Sequence, residues 1–155
     1  GPATFFAESF LDELARLGGR DPLAMRMALL GSNPRLARCL VKATGLAGWD
    51  GGGPGSQMGL AVLSAYGSHI AVVASASVGP AGEIVVSRMV AVADCGRAAN
   101  PALVRSQIEG GLIAGLTQAT QPLPQFRYGM AVAGLPREPR LAGTPSIEVE
   151  LIRSN

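Results

Sequence analysis

The sequence predicts an α+β domain in which a small mixed or antiparallel sheet is packed by N-terminal helices and by one long glycine-containing helix. Two patterns carry this reading. Apolar residues recur at steps of three and four before residue 50 and again after Pro101, whereas from Met58 to Ala93 they interleave with Ser75, Ser77 and Ser87 in the period-two manner of strands. Twenty-one glycines and eleven prolines add many turns, while a hydrophobic share of 48% still allows one packed core.

The elements follow in order. Thr4 to Leu17 spaces Phe6, Phe10, Leu11, Leu14 and Leu17 as the buried stripe of a helix, with Glu8, Asp12, Glu13 and Arg16 mostly on other faces, and Gly18-Gly19 ends it. Asp21-Pro22 supplies an N-cap and a first-turn proline for a short second helix, whose stripe is Leu23, Met27 and Leu30 with Arg26 outside. Asn33-Pro34 repeats that signal. A third helix then buries Leu36, Leu40, Val41 and Ala47, sends Arg35, Arg38 and Lys42 to solvent, and packs Trp49 at its end.

Residues 51–57 read as a glycine-rich linker between a helical part, 1–50, and a sheet part, 58–155, of a single domain or fragment. Strands are expected over Gly59 to Ala65, His69 to Val78 and Ile84 to Ala93, the last two joined by a turn at Gly79 to Gly82. Asn100-Pro101 starts a helix to about Gln118 that buries Leu103, Val104, Ile108, Leu112, Ile113 and Leu116. Its mid-helix Gly110, Gly111 and Gly115 each cost about 1 kcal/mol relative to alanine, so a packing or binding reason for them is expected. From Thr120 to Gly143 the prolines predict loop, and Ser146 to Ile152 alternates as a closing strand.

Several function classes are disfavoured. Thirteen basic residues against eleven acidic ones, scattered along the chain, give no electrostatic footprint for nucleic acid. Cys39, Cys95 and the lone His69 match no zinc or disulfide spacing. The apolar run Ile70 to Val78 is far shorter than the ~20 residues of a membrane span. His69 lies within a strand and reads as a structural histidine, Cys95 as a buried thiol, and Gly51 to Gly55 lacks the Lys-Ser or Lys-Thr of a phosphate loop. The Gly1-Pro2 start, without Met or a basic leader, is expected of a processed, cloned or excised chain, and the compartment stays open.

One constellation stands above this background: Asp94-Cys95-Gly96-Arg97-Ala98-Ala99-Asn100-Pro101, then Gln107-Ile108-Glu109-Gly110-Gly111, then Gly115. It resembles the molybdenum hydroxylases of the xanthine dehydrogenase and aldehyde oxidase family, in particular the C-terminal part of the molybdopterin-binding subunit of the isoquinoline 1-oxidoreductase and aldehyde dehydrogenase type. Phe6 to Ala15, Asp21 to Arg26, the Trp49 region and Thr144 to Val149 resemble it in the same order.

The resemblance implies that Gln107 lies near the pterin and hydrogen-bonds it, with an exposed helical glutamine as the plainer alternative. It implies that Gly110 and Gly111 allow close approach beside the cofactor, where ordinary helix packing is the alternative. Asp94, Asn100 and Glu109 would be architectural, and no residue is assigned catalysis. The cofactor implied is molybdopterin with molybdenum, in a pterin dinucleotide form. The partners implied are the rest of the subunit, an iron-sulfur subunit and an aldehyde or N-heterocycle substrate, with no nucleic acid and no membrane span. The family's glutamate base sits in a Gly-x-Gly-Glu context downstream of the last strand, so the chain is expected to be one piece of a longer subunit and inactive alone. A non-catalytic module that docks another polypeptide is the competing expectation.

Overall fold

The computed structural model describes residues 2–80, 82–120, 125–133 and 144–154. Its elements are α1 (Pro2–Leu17), α2 (Pro22–Leu29), α3 (Pro34–Ala47), β1 (Met58–Ala65), β2 (Ser68–Val78), β3 (Ile84–Asp94), α4 (Pro101–Thr120), β4 (Gln125–Arg127), β5 (Met130–Ala133) and β6 (Ser146–Leu151). The α+β class is as the sequence predicts. The three central strands lie where the period-two pattern places them.

The main sheet has the order β1-β2-β3-β6, antiparallel except for β6, which runs parallel to β3 from Ser146 beside Arg88 to Leu151 beside Ala93. Register places Leu60, Val73 and Val90 in one cross-strand row and Ala71 beside Val92 in another, so their side chains share a face. Helix α3 covers that face. Cys39, Leu40 and Ala43 are fully buried against Leu60, Ala71, Val73 and Val92, and burying Leu40 alone is worth about 2 kcal/mol. Val41, expected inside, is 56% exposed because the sheet meets only the Leu36–Leu40–Ala43 side of the helix.

The capping reading holds at three helix starts. Asp21 Oδ1 accepts from Leu23 N–H at 2.7 Å, Asn33 Oδ1 from Leu36 N–H at 3.1 Å and Asn100 Oδ1 from Leu103 N–H at 3.1 Å. Trp49 packs beside the core at the end of α3 and donates its indole N–H to Asp21 at 3.1 Å. In the linker, an added Cβ on Gly52 would stand 2.7 Å from the Trp49 ring, and its φ of +61° also favours glycine.

Helix α1 is the main departure. Phe6, Phe10 and Leu17 are 67%, 59% and 85% exposed, and only Ala15 is fully buried. The face turned toward the rest of the chain is the polar one. Arg26, expected outside, is buried: its Nε donates to Glu8 Oε2 at 2.9 Å, and its Nη1 to Asp12 Oδ1 at 2.7 Å. Glu8 Oε2 also accepts Val62 N–H at 2.9 Å, so one charged cluster joins α1, α2 and β1.

The segment expected as loop after Thr120 contains a hairpin, β4–β5, turned by Tyr128-Gly129 with φ of 50° and 79°. The same dipeptide, Tyr66-Gly67 with φ of 51° and 75°, turns β1 into β2. Positive φ at both central positions is the geometry of a tight two-residue hairpin. Of the other expected loop positions, residues 121–124 and 134–143 lie outside the described residues, as does Ala81 of the 79–82 turn. No helix among the described residues is long and apolar enough to cross a membrane.

Candidate functional site

Strand β3 ends in Asp94, a fully buried carboxylate under the Cys95–Arg97 loop. Arg35, brought over by α3, donates its Nε to Asp94 Oδ2 at 3.1 Å and its Nη2 to Oδ1 at 2.6 Å. Ser154 Oγ–H donates to Oδ1 at 2.6 Å, and Gly96 N–H donates to the same oxygen at 3.1 Å. These donors, Arg35 first, outweigh the opposing effect of burial and hold the Asp94 carboxyl well below the usual carboxylate range. Asp94 is thus the architectural residue that the sequence suggests, and it fixes the start of the loop leading to α4.

On the other side of that loop lies a largely apolar cavity of about 430 Å³. Leu63, Ile70 and Ala93 of the sheet face Leu103, Val104, Gln107 and Ile108 of α4 across it, with His69 and Cys95 at its wall. Gln107 is exposed, and no described residue takes up its side-chain amide, which carries both a donor and an acceptor end. The lining therefore combines an apolar slot with one two-way hydrogen-bonding group. His69 is the structural histidine expected, with Nδ1 2.9 Å from Ser64 Oγ.

Helix α4 is not buried as its sequence predicts. It rests against β6, Val104, Ile108, Leu112, Ile113 and Leu116 are half-buried, and Leu103 is 56% exposed. Among the described residues the helix packs mainly on β6, while the cavity separates its Leu103–Ile108 stretch from β1 and β2. Gly110 and Gly111, on the turn after Gln107, are exposed, and a Cβ added at either would meet nothing within 4 Å among the described residues. Packing among the described residues therefore does not explain them. Glu109, expected as a polar anchor, has no hydrogen-bond or ion-pair partner among the described residues.

The two cysteines differ. Burial pushes the Cys39 thiol up to about 11, and the nearby Asp94 charge adds to the rise; Cys95 lies half-buried at the cavity wall. A thiolate is the reacting species. Mild alkylation at neutral pH followed by peptide mass mapping is expected to label Cys95 at least about tenfold faster than Cys39. Equal labelling would mean that the α3–sheet core opens readily.

Sequence comparison gives three findings. Residues 42–122 match the molybdopterin cofactor-binding domain family. The chain is 31% identical over 160 residues to the isoquinoline 1-oxidoreductase subunit beta of Brevundimonas diminuta, covering 97% of this chain and 20% of that one. It thus spans one-fifth of the length of that curated relative. In structure it is similar to quinoline 2-oxidoreductase from Pseudomonas putida 86, with a TM-score of 0.50 and 22% identity over 56% of this chain and 12% of that chain.

Proposed function

Since the chain belongs to the molybdopterin cofactor-binding domain family of the molybdenum hydroxylases, we propose that it supplies one wall of the cofactor site in a larger molybdenum oxidoreductase subunit. The observation that carries this reading is the α4 side of the cavity: Gln107 lines it with an amide that no described residue takes up, and Gly110 and Gly111, one turn further along the helix and beyond the lining, present bare backbone. The fit is chemical. A flat heteroaromatic ring with donors and acceptors on its edge suits an apolar slot ending in an amide that can both give and take a hydrogen bond.

When bound, the molybdenum-pterin group supplies the redox chemistry of the hydroxylation. The part played by this chain is to hold and orient. Gln107 hydrogen-bonds the pterin edge, Gly110 and Gly111 let the group lie close to the helix, and Leu63, Ile70 and Leu103 keep water from that side. The finer assignments, a pterin dinucleotide, an iron-sulfur partner subunit and an aldehyde or N-heterocycle as substrate, rest on the resemblance of the motifs, and an N-heterocycle also agrees with the relatives' names, which are those of isoquinoline and quinoline oxidoreductases. In this reading the chain does not turn over substrate alone: His69 and Cys95 lie at the cavity wall, but no carboxylate joins them among the described residues that line it.

The exposed aromatic face of α1 favours a second, compatible role, docking of another part of the same assembly. The decisive experiment uses the complete polypeptide that carries this chain, with molybdenum counted by mass spectrometry and pterin by fluorescence after oxidation. The wild type is expected to hold both. G111L is expected to retain about tenfold less of each with unchanged unfolding temperature, since nothing within the described chain opposes the added side chain. A wild type free of molybdenum, or a G111L variant with full pterin content, would defeat the reading.

A further inference from the structure

The Asp94 cluster opens onto a second hollow on the far side of the loop. Arg35, Arg38, Arg97 and Arg153 line it together with Gly96 and Ser154, enclosing about 530 Å³. Four guanidinium charges therefore face the one carboxylate among the described residues that pairs with any of them, Asp94. That carboxylate is already committed to Arg35, Ser154 and the Gly96 N–H. Arg35 is committed as well, since it also donates to Gly67 O at 3.1 Å and, at 3.4 Å, to Asp94 O and Ser154 Oγ. Arg38 reaches Asp94 only at 3.5 Å, and Arg97 and Arg153 are exposed with no ion-pair partner among the described residues.

Three guanidinium groups thus surround the hollow with donors to spare, above a floor that Asp94, Arg35 and Ser154 hold rigid. We infer that this hollow binds a phosphate-bearing anion. The guanidinium fork matches the oxygen spacing of phosphate, and an anion of two or more charges can engage several forks at once. The volume admits a pyrophosphate group. The inference does not depend on the cofactor reading, although both hollows open on one loop: Cys95 lines the Gln107 cavity, and Gly96 and Arg97 line this one. The phosphate can therefore belong to a free phosphate compound or to the phosphate arm of the group proposed beside Gln107.

The test is calorimetric titration of the complete polypeptide with inorganic pyrophosphate at fixed ionic strength, which removes general screening from the comparison. Saturable one-site binding is expected. R97A/R153A should weaken it by about 30-fold or more, R97K/R153K should restore part of it, and K42A, outside the hollow, should leave it unchanged. Both arginines are exposed, so the variants are expected to fold as the wild type does. Binding confined to cofactor-stripped protein assigns the site to the cofactor's phosphate arm; binding to stripped and loaded protein alike assigns it to a free phosphate compound. A non-saturable response, as diffuse ion association would give, or equal affinity in R97A/R153A, overturns the site. Pyrophosphate binding by a wild type that holds no molybdenum would overturn the cofactor reading alone.

Discussion

Replacing Arg26 with methionine lowers the free energy of unfolding by about 3–5 kcal/mol, the usual cost of removing one partner from a buried ion pair. Arg26 is 1% exposed and Glu8 13%, so the substitution leaves the Glu8 carboxylate with its Val62 N–H bond but without its counter-charge. Asp12, 41% exposed, is better hydrated and adds little. Methionine keeps length and flexibility, which separates the lost charge from a lost volume. Urea denaturation with an unchanged slope is the measurement. Adding E8Q should recover part of the loss, since no unpaired charge then remains. A loss under about 1 kcal/mol would show that the cluster is not what holds α1 in place.

The second large effect is at Asp94. D94A removes the acceptor of two Arg35 bonds, one Ser154 bond and one Gly96 N–H bond, and is expected to cost about 3 kcal/mol. The pH dependence has a definite sign. Because the folded state holds this carboxyl below its usual value, the unfolded chain binds more protons in acid. The contribution of Asp94 is therefore complete above about pH 4 and is lost as pH falls toward the folded-state value. Wild-type stability measured from pH 6 downward should drop below about pH 4, and the D94A profile should be flatter over the same interval. D94N, which keeps an acceptor for Gly96 N–H, should fall between the two. Parallel profiles for wild type and D94A would refute the assignment.

What could be read from the sequence was what is decided locally. The three Asx-Pro starts, at Asp21, Asn33 and Asn100, needed only a side-chain oxygen and a pre-set proline, and all three form caps. The strands from Met58 to Asp94 were legible because one face packs on α3 and demands alternation. Helix α1 departs from its sequence pattern for a physical reason: periodicity shows which side is apolar, not what covers it. Arg26 departs with it, because buried charge depends on Glu8 and Asp12 arriving from another helix. The β4–β5 hairpin had a signal that went unused, the Tyr-Gly pair that also turns β1 into β2. At the candidate site, Gln107 lines a cavity, whereas the arginine hollow joins residues 35, 38, 97 and 153, which no spacing rule connects.

The Asp94 cluster also bears on how the chain acquires its structure. Arg35 and Ser154 meet around it although 119 positions separate them, and Ser154 lies 60 positions beyond Asp94 itself. Contacts this distant are slow to form, because a long stretch of chain must be brought into order before they can be made. On the ribosome, α3 and β3 would emerge first, with Arg35 and Asp94, while the serine that completes the cluster follows 60 positions after Asp94. The loop bearing Cys95 to Arg97 should therefore become fully anchored only after β6 and Ser154 have been made, well after the strand that leads into it.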